Sequence, residues 1–544
     1  MADIVIYGGS FPGVAAAAKA AANTASSKTI ALIVPDPVNH NGEGCCLGSI
    51  GTVGGQNFFD IKPGAKYTKG SFAWWFKQMY QHYNTDEMAA LLKSDLAKYG
   101  SRISYYYGYD ITQIGWASPA NITSVTVRKI KRNPSTGIVD WETGSSDVTI
   151  EGTVFIDASE SGKLTRLSNF GGTTGRYDWP ASKLDSDERT APGKARQQVA
   201  SLMFKVKNFD RSAKDLEWKK HDNGVYSATG GGKAFSENAT IINFNDKYGP
   251  QGFMLKPFNM AQNGPEGPNP LEAEWWVNML LVFNVDGRAY NRDRSINKFP
   301  TDMRPDYKTV DDAWVQARDI LRNPECIAAM REFPGFKNAE LVLDADGMPV
   351  VGEVLYLRES IHTAQSSSKR ANGTEDTNYA LWAKDFWDAG ASYTTGTDKR
   401  HYGNRIGLNS YDLDINAYKP SDLKKDGAYI WGHAVTNHVR DDITAITSMP
   451  ETEYYENRHP TYVPFSAIAT NFVYNLLIPG YAASISSLGW SEARVIPNQC
   501  VLGDAAGVAA AYAVTNGKMP LQFGASDINA IRNTLTKGNT VVEK

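Results

Sequence analysis

Near the start of the chain, Gly8-Gly9-Ser10-Phe11-Pro12-Gly13 has the composition and spacing of a loop that holds a pyrophosphate. Glycine at the first and last of these positions lets backbone N–H groups approach an anion, and a following helix adds the positive end of its dipole. Ser10 stands where a further glycine is usual, and its hydroxyl adds a donor. Such loops are followed by an acid, near the end of the second strand, that holds a ribose hydroxyl. The aligned position carries Val34, and Asp36, just past Pro35, is the nearest substitute. Taken alone, the same residues also read as an ordinary strand-to-helix turn.

The elements that must position this loop are legible around it. Ile4–Tyr7 is an apolar run that reads as a strand, Val14–Ala18 opens an alanine-rich helix, and Thr29–Val34 reads as the second strand. The stretch Asn41–Gly51, continuing through Gly54-Gly55, is so rich in glycine that its backbone is expected to pass close to a ligand. Residues 72–98 have helical spacing, and residues 103–156 alternate β-rich runs with turns, among them Val125–Val127 and Val148–Ile150. They end in a buried-strand pattern at Val154–Ile156 that leads into Asp157-Ala158-Ser159. Farther on, Gly230–Gly232, Asn263–Pro270 and the polar run Gln365–Asn378 read as loops and Asp311–Arg331 as a helix. Asn475–Gly480 is strand-like, and Val501–Gly507 opens a second alanine-rich helix. The two ends share a Gly/Ala-rich style that the middle lacks, which points to one domain with another inserted into it.

Bulk composition bounds the function. With 544 residues, 42% hydrophobic and 21% charged, the chain has the makeup of a soluble globular protein large enough for two or more domains. Its 56 basic and 59 acidic residues are interspersed, so neither nucleic acid nor an anionic membrane is an expected partner. No apolar run is long enough to span a bilayer, and a cytoplasmic location is the expectation. Four cysteines make neither a disulfide framework nor a zinc pattern, so no metal is expected. Sequons at Asn121, Asn238 and Asn372 are few enough to arise by chance.

Four blocks, in order along nearly the whole chain, give it a family resemblance: Tyr7–Gly13; Val154–Gly162, with Asp157-Ala158-Ser159 at its centre; Tyr462-Val463-Pro464-Phe465; and Asn475-Leu476-Leu477 through Gly480, Arg494 and Pro497 to Gly503-Asp504-Ala505-Ala506-Gly507. With these the chain resembles the FAD-dependent oxidoreductase family of the glutathione-reductase-like superfamily. The resemblance implies an α/β fold: a Rossmann-like FAD-binding domain of glutathione-reductase type, formed by residues 1–174 and 461–544, with a mixed α+β substrate domain, residues 175–460, inserted. It implies FAD as cofactor, held by Gly8, Gly9, Ser10, Phe11, Pro12, Gly13, Asp36, Asp157, Ala158, Ser159, Gly480, Arg494, Gly503, Asp504, Ala506 and Gly507. The Gly503–Gly507 segment would begin a helix pointing N–H groups at the flavin, with Asp504, in place of the family's Gln, on the ribityl hydroxyls. Cys45 and Cys46, or His40, would lie beside the flavin as redox or tethering groups; they read equally as small buried residues of a glycine-rich segment.

For the chemistry, a flavoenzyme needs a base beside the substrate C–H. Of eight histidines, His438 and then His433 fall in a segment resembling the family's P-x-D-x-H. Arg358 resembles a family arginine that would hold a carboxylate or the flavin, and Tyr462 would line the pocket. The chain departs from the pattern at Val34, at Glu160-Ser161 in place of Gly-Asp, at Tyr481 in place of Arg, and at Ile361-His362 in place of two arginines. These departures imply a divergent substrate. The expectation is hydride transfer from a small organic substrate to FAD, with oxygen or another acceptor taking the electrons afterwards. Trp74-Trp75, Trp275-Trp276, Trp382 and Trp387 would suit a cyclic or carbohydrate-like substrate. A flavoprotein with a net non-redox reaction, and a binding protein on a degenerate dinucleotide fold, are the alternatives.

Overall fold

The computed structural model describes residues 1–37, 46–61, 69–168, 172–175, 196–363, 380–381, 385–386, 403–412, 414–441, 460–470 and 472–544. His40, Cys45, Asn372, the Gln365–Asn378 run, Trp382 and Trp387 lie outside these residues, as does the side chain of His433.

Strand β1 (Ala2–Tyr7) and strand β2 (Ile30–Val34) are buried on both faces, as their unbroken apolar sequences require. Helix α1 (Phe11–Ala22) connects them, and they pair in parallel. Next come β3 (Ile103–Tyr107), β4 (Tyr109–Ser118), β5 (Asn121–Arg132), β6 (Val139–Trp141) and β7 (Val148–Asp157). Together they build an eight-stranded sheet in the order β3-β2-β1-β7-β5-β4, with β6 on β5. The parallel half, β3-β2-β1-β7, carries the loop at its carboxyl edge. Its eighth strand comes from far along the chain: Leu476–Leu477 pairs in parallel with β7. The side-chain amide of Asn475 fixes this join by bonding the carbonyls of Ile122 and Thr153, both at 2.8 Å.

A second, antiparallel sheet of six strands is drawn from residues 200–341. Its centre, Phe253–Gln262 against Trp275–Val282, is almost wholly buried. Its edge strand, Leu216–Lys220, is exposed.

The long helix Ile496–Asn516 lies against α1. It starts at Ile496, with Pro497 in its first turn, so Gly503–Gly507 is its middle and not its beginning. The small residues there serve packing. A Cβ on Gly503 would stand 2.3 Å from the Pro12 carbonyl oxygen, and one on Gly507 would stand 2.4 Å from that of Ala16. Ala506 is fully buried in the same helix.

Two expected helices are broken. Residues 72–98 form Ser71–Met79 and Thr85–Ala97, separated where Tyr80 adopts φ +62° and Asn84 caps the second helix. Asp311–Arg331 forms Val310–Ile320 and Pro324–Arg331, because proline has no N–H to continue the first helix and Asn323 caps the second. Gly230–Gly232 is a strand end running directly into a short helix rather than a loop.

Candidate functional site

Two cavities lie at the two ends of one buried segment, Ser49–Asp60. The first is lined by Tyr7, Gly8, Gly9, Ser10, Asp36 and Ser49 on one side and by Ser159, Glu160, Tyr290 and Arg292 on the other. Three backbone segments meet at its floor. Gly8 has φ +114°, and a Cβ there would lie 2.6 Å from the Ala158 carbonyl carbon. A Cβ on Gly480 would lie 2.6 Å from the Ser159 carbonyl oxygen. Ser10 precedes α1, and its hydroxyl donates to the Ala158 carbonyl at 2.7 Å instead of capping the helix.

The remaining loop residues face the protein. Phe11 packs edge-on to Phe59 and Trp75, and Pro12 and Gly13 admit close backbone neighbours. Asp157 is buried and spends its carboxylate on Ser159 and Thr165, holding the turn after β7 in place. Val34 lies beneath Gly9, where an added Cβ would meet its side chain at 2.6 Å. Asp36, not Val34, therefore presents the acid to this cavity.

Glu160, noted in the sequence as a departure, stands in the same cavity as Asp36. Burial pushes both carboxyls up, Asp36 to about 6 and Glu160, with the Asp36 charge adding to burial, to about 8. Behind them is a buried ionic net. The Tyr7 hydroxyl, Lys163 Nζ and Arg292 Nε all donate to Asp110, at 2.7, 2.8 and 2.7 Å, and Lys163 also donates to Asp293 at 2.5 Å. Nothing in the spacing of these residues announced the net, whose members come from four distant parts of the chain.

The second cavity encloses about 650 Å³ and is lined by Phe58, Asp60, His82, His221, Tyr411, Asp412, Asp414 and Trp431, with Lys219 at its rim. Half-buried Asp60 takes a single hydrogen bond among the described residues, from Gln56 Nε2 at 3.2 Å. Burial raises its carboxyl above the usual range despite Arg494 and Arg358 nearby. Arg494 is buried and donates to the Tyr356 hydroxyl at 2.5 Å and to Asp414 at 2.7 Å. Arg358 donates to the Val199 carbonyl at 2.6 Å and to Ser201 at 3.0 Å, and burial lowers its pKa to about 10. His82 stacks on His221 with ring centres 4.1 Å apart, and burial first, then His221 and Lys219, push its pKa down to about 3.

Several residues that the sequence suggested for the site fall elsewhere. His438 sits on the helix His433–Asp441, which begins just past the cavity wall at Trp431-Gly432; neither it nor Tyr462 lines either cavity. Tyr462 is buried and hydrogen-bonds toward Glu543 and Lys544 at the chain's end. Asp504 is fully buried and occupied by Ser71 and Thr540. The Cys46 thiol is buried against the Pro37 carbonyl at 3.2 Å. Trp75, Trp275 and Trp276 are core residues, and Trp74 is exposed away from both cavities. Asp60, His82, Tyr411 and Asp414 were not anticipated; the glycine run that delivers Asp60 was the available signal.

Among the described residues no helix is long and apolar enough to cross a membrane. The sequence model of the family "FAD dependent oxidoreductase" matches residues 116–535. No curated protein matches the chain. Among solved structures, the myxobacterial chondrochloren halogenase CndH is similar at 10% identity, covering 67% of this chain and 64% of that one, with a TM-score of 0.29. CabE, an aromatic hydroxylase from angucycline biosynthesis, is similar at 8% identity over 51% and 43%, with a TM-score of 0.24. A flavoprotein/dehydrogenase from Cytophaga hutchinsonii is similar at 11% identity over 51% and 55%, with a TM-score of 0.22. The chain spans less than two thirds of the length of each of these structures.

Proposed function

The chain belongs to the FAD dependent oxidoreductase family, and from that premise we propose that it oxidises a small organic substrate in the cavity beside Asp60. What carries this reading is the arrangement of a loop cavity and an acid-lined cavity at opposite ends of Ser49–Asp60.

FAD is the family's cofactor, and the residues present fit it. The first turn of α1 is left without a side-chain cap, and Gly8 brings bare backbone to the cavity, as a pyrophosphate requires. Gln56 Oε1 on the connecting segment and Arg494 Nε are buried polar atoms with no hydrogen-bond partner among the described residues, which a polar ligand would satisfy. Gly8, Gly9, Ser10 and Asp36 would hold the nucleotide half; Gln56 and Arg494 would face the ring end. Bound there, FAD supplies a two-electron acceptor.

The chain's own part is to hold the substrate and move its proton. Oxidation of a C–H/O–H pair releases a hydroxyl proton, and the Asp60 carboxylate is the group we assign to receive it. Its raised pKa makes it a better acceptor than an ordinary carboxylate. Arg494 positions the opposite wall by clamping Tyr356 and Asp414. The halves of the cofactor domain would be residues 1–174 and 461–544. The Leu476–Leu477 strand in the first sheet and the helix pair across it support this division, with the six-stranded sheet as the core of the inserted substrate domain.

The test is the absorbance spectrum of the purified protein before and after acid precipitation. A flavin spectrum is expected. Colour left in the pellet means a covalent link and directs attention to His40, Cys45 and Cys46; colour in the supernatant means none. A colourless protein that takes up no added FAD defeats the reading. Oxygen consumption on reoxidation separates an oxidase from a dehydrogenase.

A further inference from the structure

We propose that the Asp60 cavity takes an uncharged, polyhydroxylated ring: a sugar or a compound of sugar-like chemistry. The inference rests on the reading of this cavity as the substrate site and adds the class of molecule.

The first argument is where the charges lie. Three carboxylates, Asp60, Asp412 and Asp414, line the cavity. The basic side chains nearest them are in the wall behind. Arg494 is held by Asp414 and Tyr356, Arg358 by a carbonyl and a hydroxyl, and Lys256, 2% exposed, by the carbonyls of Asn278 and Pro257 at 2.8 and 3.2 Å. None of the three lines the cavity. A substrate carboxylate would therefore meet acceptors and find, among the described lining residues, one cation, Lys219 on the exposed edge strand. A substrate ammonium would meet Asp414 already paired with Arg494, and Asp60 with Arg494 and Arg358 nearby. A hydroxyl, which donates to a carboxylate and carries no charge, suits both conditions.

The second argument is the rest of the lining. Gln81, Ser227, Thr229 and Asn259 are neutral groups that both donate and accept. His82 Nδ1 is buried with no hydrogen-bond partner among the described residues, and the ring it belongs to is stacked on His221, whose Nε2 lies 2.8 Å from the Ser227 hydroxyl. Phe58, Tyr411 and Trp431 add aromatic faces for the C–H side of a ring. Among the described residues, the tryptophan lining this site is Trp431. A volume of about 650 Å³ lies within the usual range for small-molecule pockets.

The experiment is calorimetric titration of the holoprotein with glucose, maltose and cellobiose, and separately with lactate and phenylethylamine. At least one of the sugars is expected to bind, and neither ion. Trp431→Ala and Asn259→Leu, one removing a ring face and the other a hydrogen-bonding group at an exposed cavity position, are each expected to weaken that sugar at least about tenfold. Circular dichroism of each variant shows whether it is folded. The proposal is overturned if none of the sugars binds, if both folded variants bind it as the parent does, or if lactate or the amine binds more tightly. Sugar binding without flavin bleaching would sink the oxidation reading and leave this one standing. Bleaching by lactate or the amine with no sugar binding would do the reverse.

Discussion

Replacing Glu160 by glutamine tests the nucleotide cavity through its charge. Glu160 and Asp36 share that cavity, with pKa values raised to about 8 and about 6 by burial and, for Glu160, by the Asp36 charge as well. Between those values the pair holds one proton and one negative charge. A pyrophosphate at the Gly8–Ser10 loop adds further negative charge and so favours the protonated form of Glu160. The free protein keeps that proton up to about pH 8, and the loaded protein keeps it to higher pH. Above about pH 8, binding must therefore take up a proton. FAD affinity should be flat from about pH 7 to 8 and then fall up to tenfold per unit, about 1.4 kcal/mol each. Glu160→Gln keeps the size and polarity and removes the ionisation, so its affinity should not show this fall and should exceed the parent's by roughly tenfold near pH 9. Flavin-fluorescence titration of flavin-free protein across this range reads both slopes. Equal slopes in the two proteins, or a parent affinity that rises with pH, would refute the assignment.

Other expectations follow from single residues. Asp60→Asn should leave the flavin spectrum intact and slow flavin reduction by substrate about 10²–10⁴-fold, the usual worth of a lost general base; stopped-flow bleaching measures it. Gly503→Ala should destabilise the protein by about 1–3 kcal/mol in urea unfolding, because its methyl would fall 2.3 Å from the Pro12 carbonyl oxygen in α1. Gly267→Ala, with open space around that position, is the neutral control. Asp110→Asn should cost about 3–5 kcal/mol, since it removes the carboxylate partner of buried Arg292 and one of the two carboxylate partners of buried Lys163. Burial opposes ionisation of Asp110, but Lys163 and Arg292 outweigh it and hold the carboxyl well below the usual range. Its contribution is therefore present above about pH 4 and lost as pH falls toward its folded value, so parent and variant melting temperatures should converge in acid.

What was legible in the sequence was local. The apolar run of β1, the Gly8–Gly13 turn and the alanine-rich α1 each declare themselves through nearest neighbours and periodicity. The strand Val154–Asp157 and its small-residue turn do the same. Helix interruptions at Tyr80 and Pro324 are hidden because apolar spacing continues across them, although Asn84 and Asn323 carry capping signals. The helix containing Gly503 begins earlier than its sequence suggests: glycine reads as a boundary, and here it is a contact with Pro12. The second cavity was not legible. It joins residues near 60, 82, 221, 260, 411 and 431, segments far apart along the chain that only the fold brings together. The histidines that family position favours lie one helix beyond it, while His82 carries no motif at all.

The Asp110 net also limits how the molecule moves. Asp110 belongs to the first sheet and Lys163 to the turn region after β7, whereas Arg292 and Asp293 come from the connection between two strands of the second sheet, Trp275–Val282 and Glu340–Leu341. Opening a gap here would break all of these buried pairs at once. The two sheets are thus riveted on the nucleotide side, and a hinge between them is a poor route for traffic. On the reading proposed for the second cavity, substrate entry and product exit would fall to the far side, where the edge strand Leu216–Lys220 is exposed and, among the described residues, paired with Tyr226–Gly230 alone, with Lys219 at the mouth. Turnover in such a molecule would be paced by the fraying of a single ribbon, and fixing that ribbon would slow release while leaving the chemistry untouched.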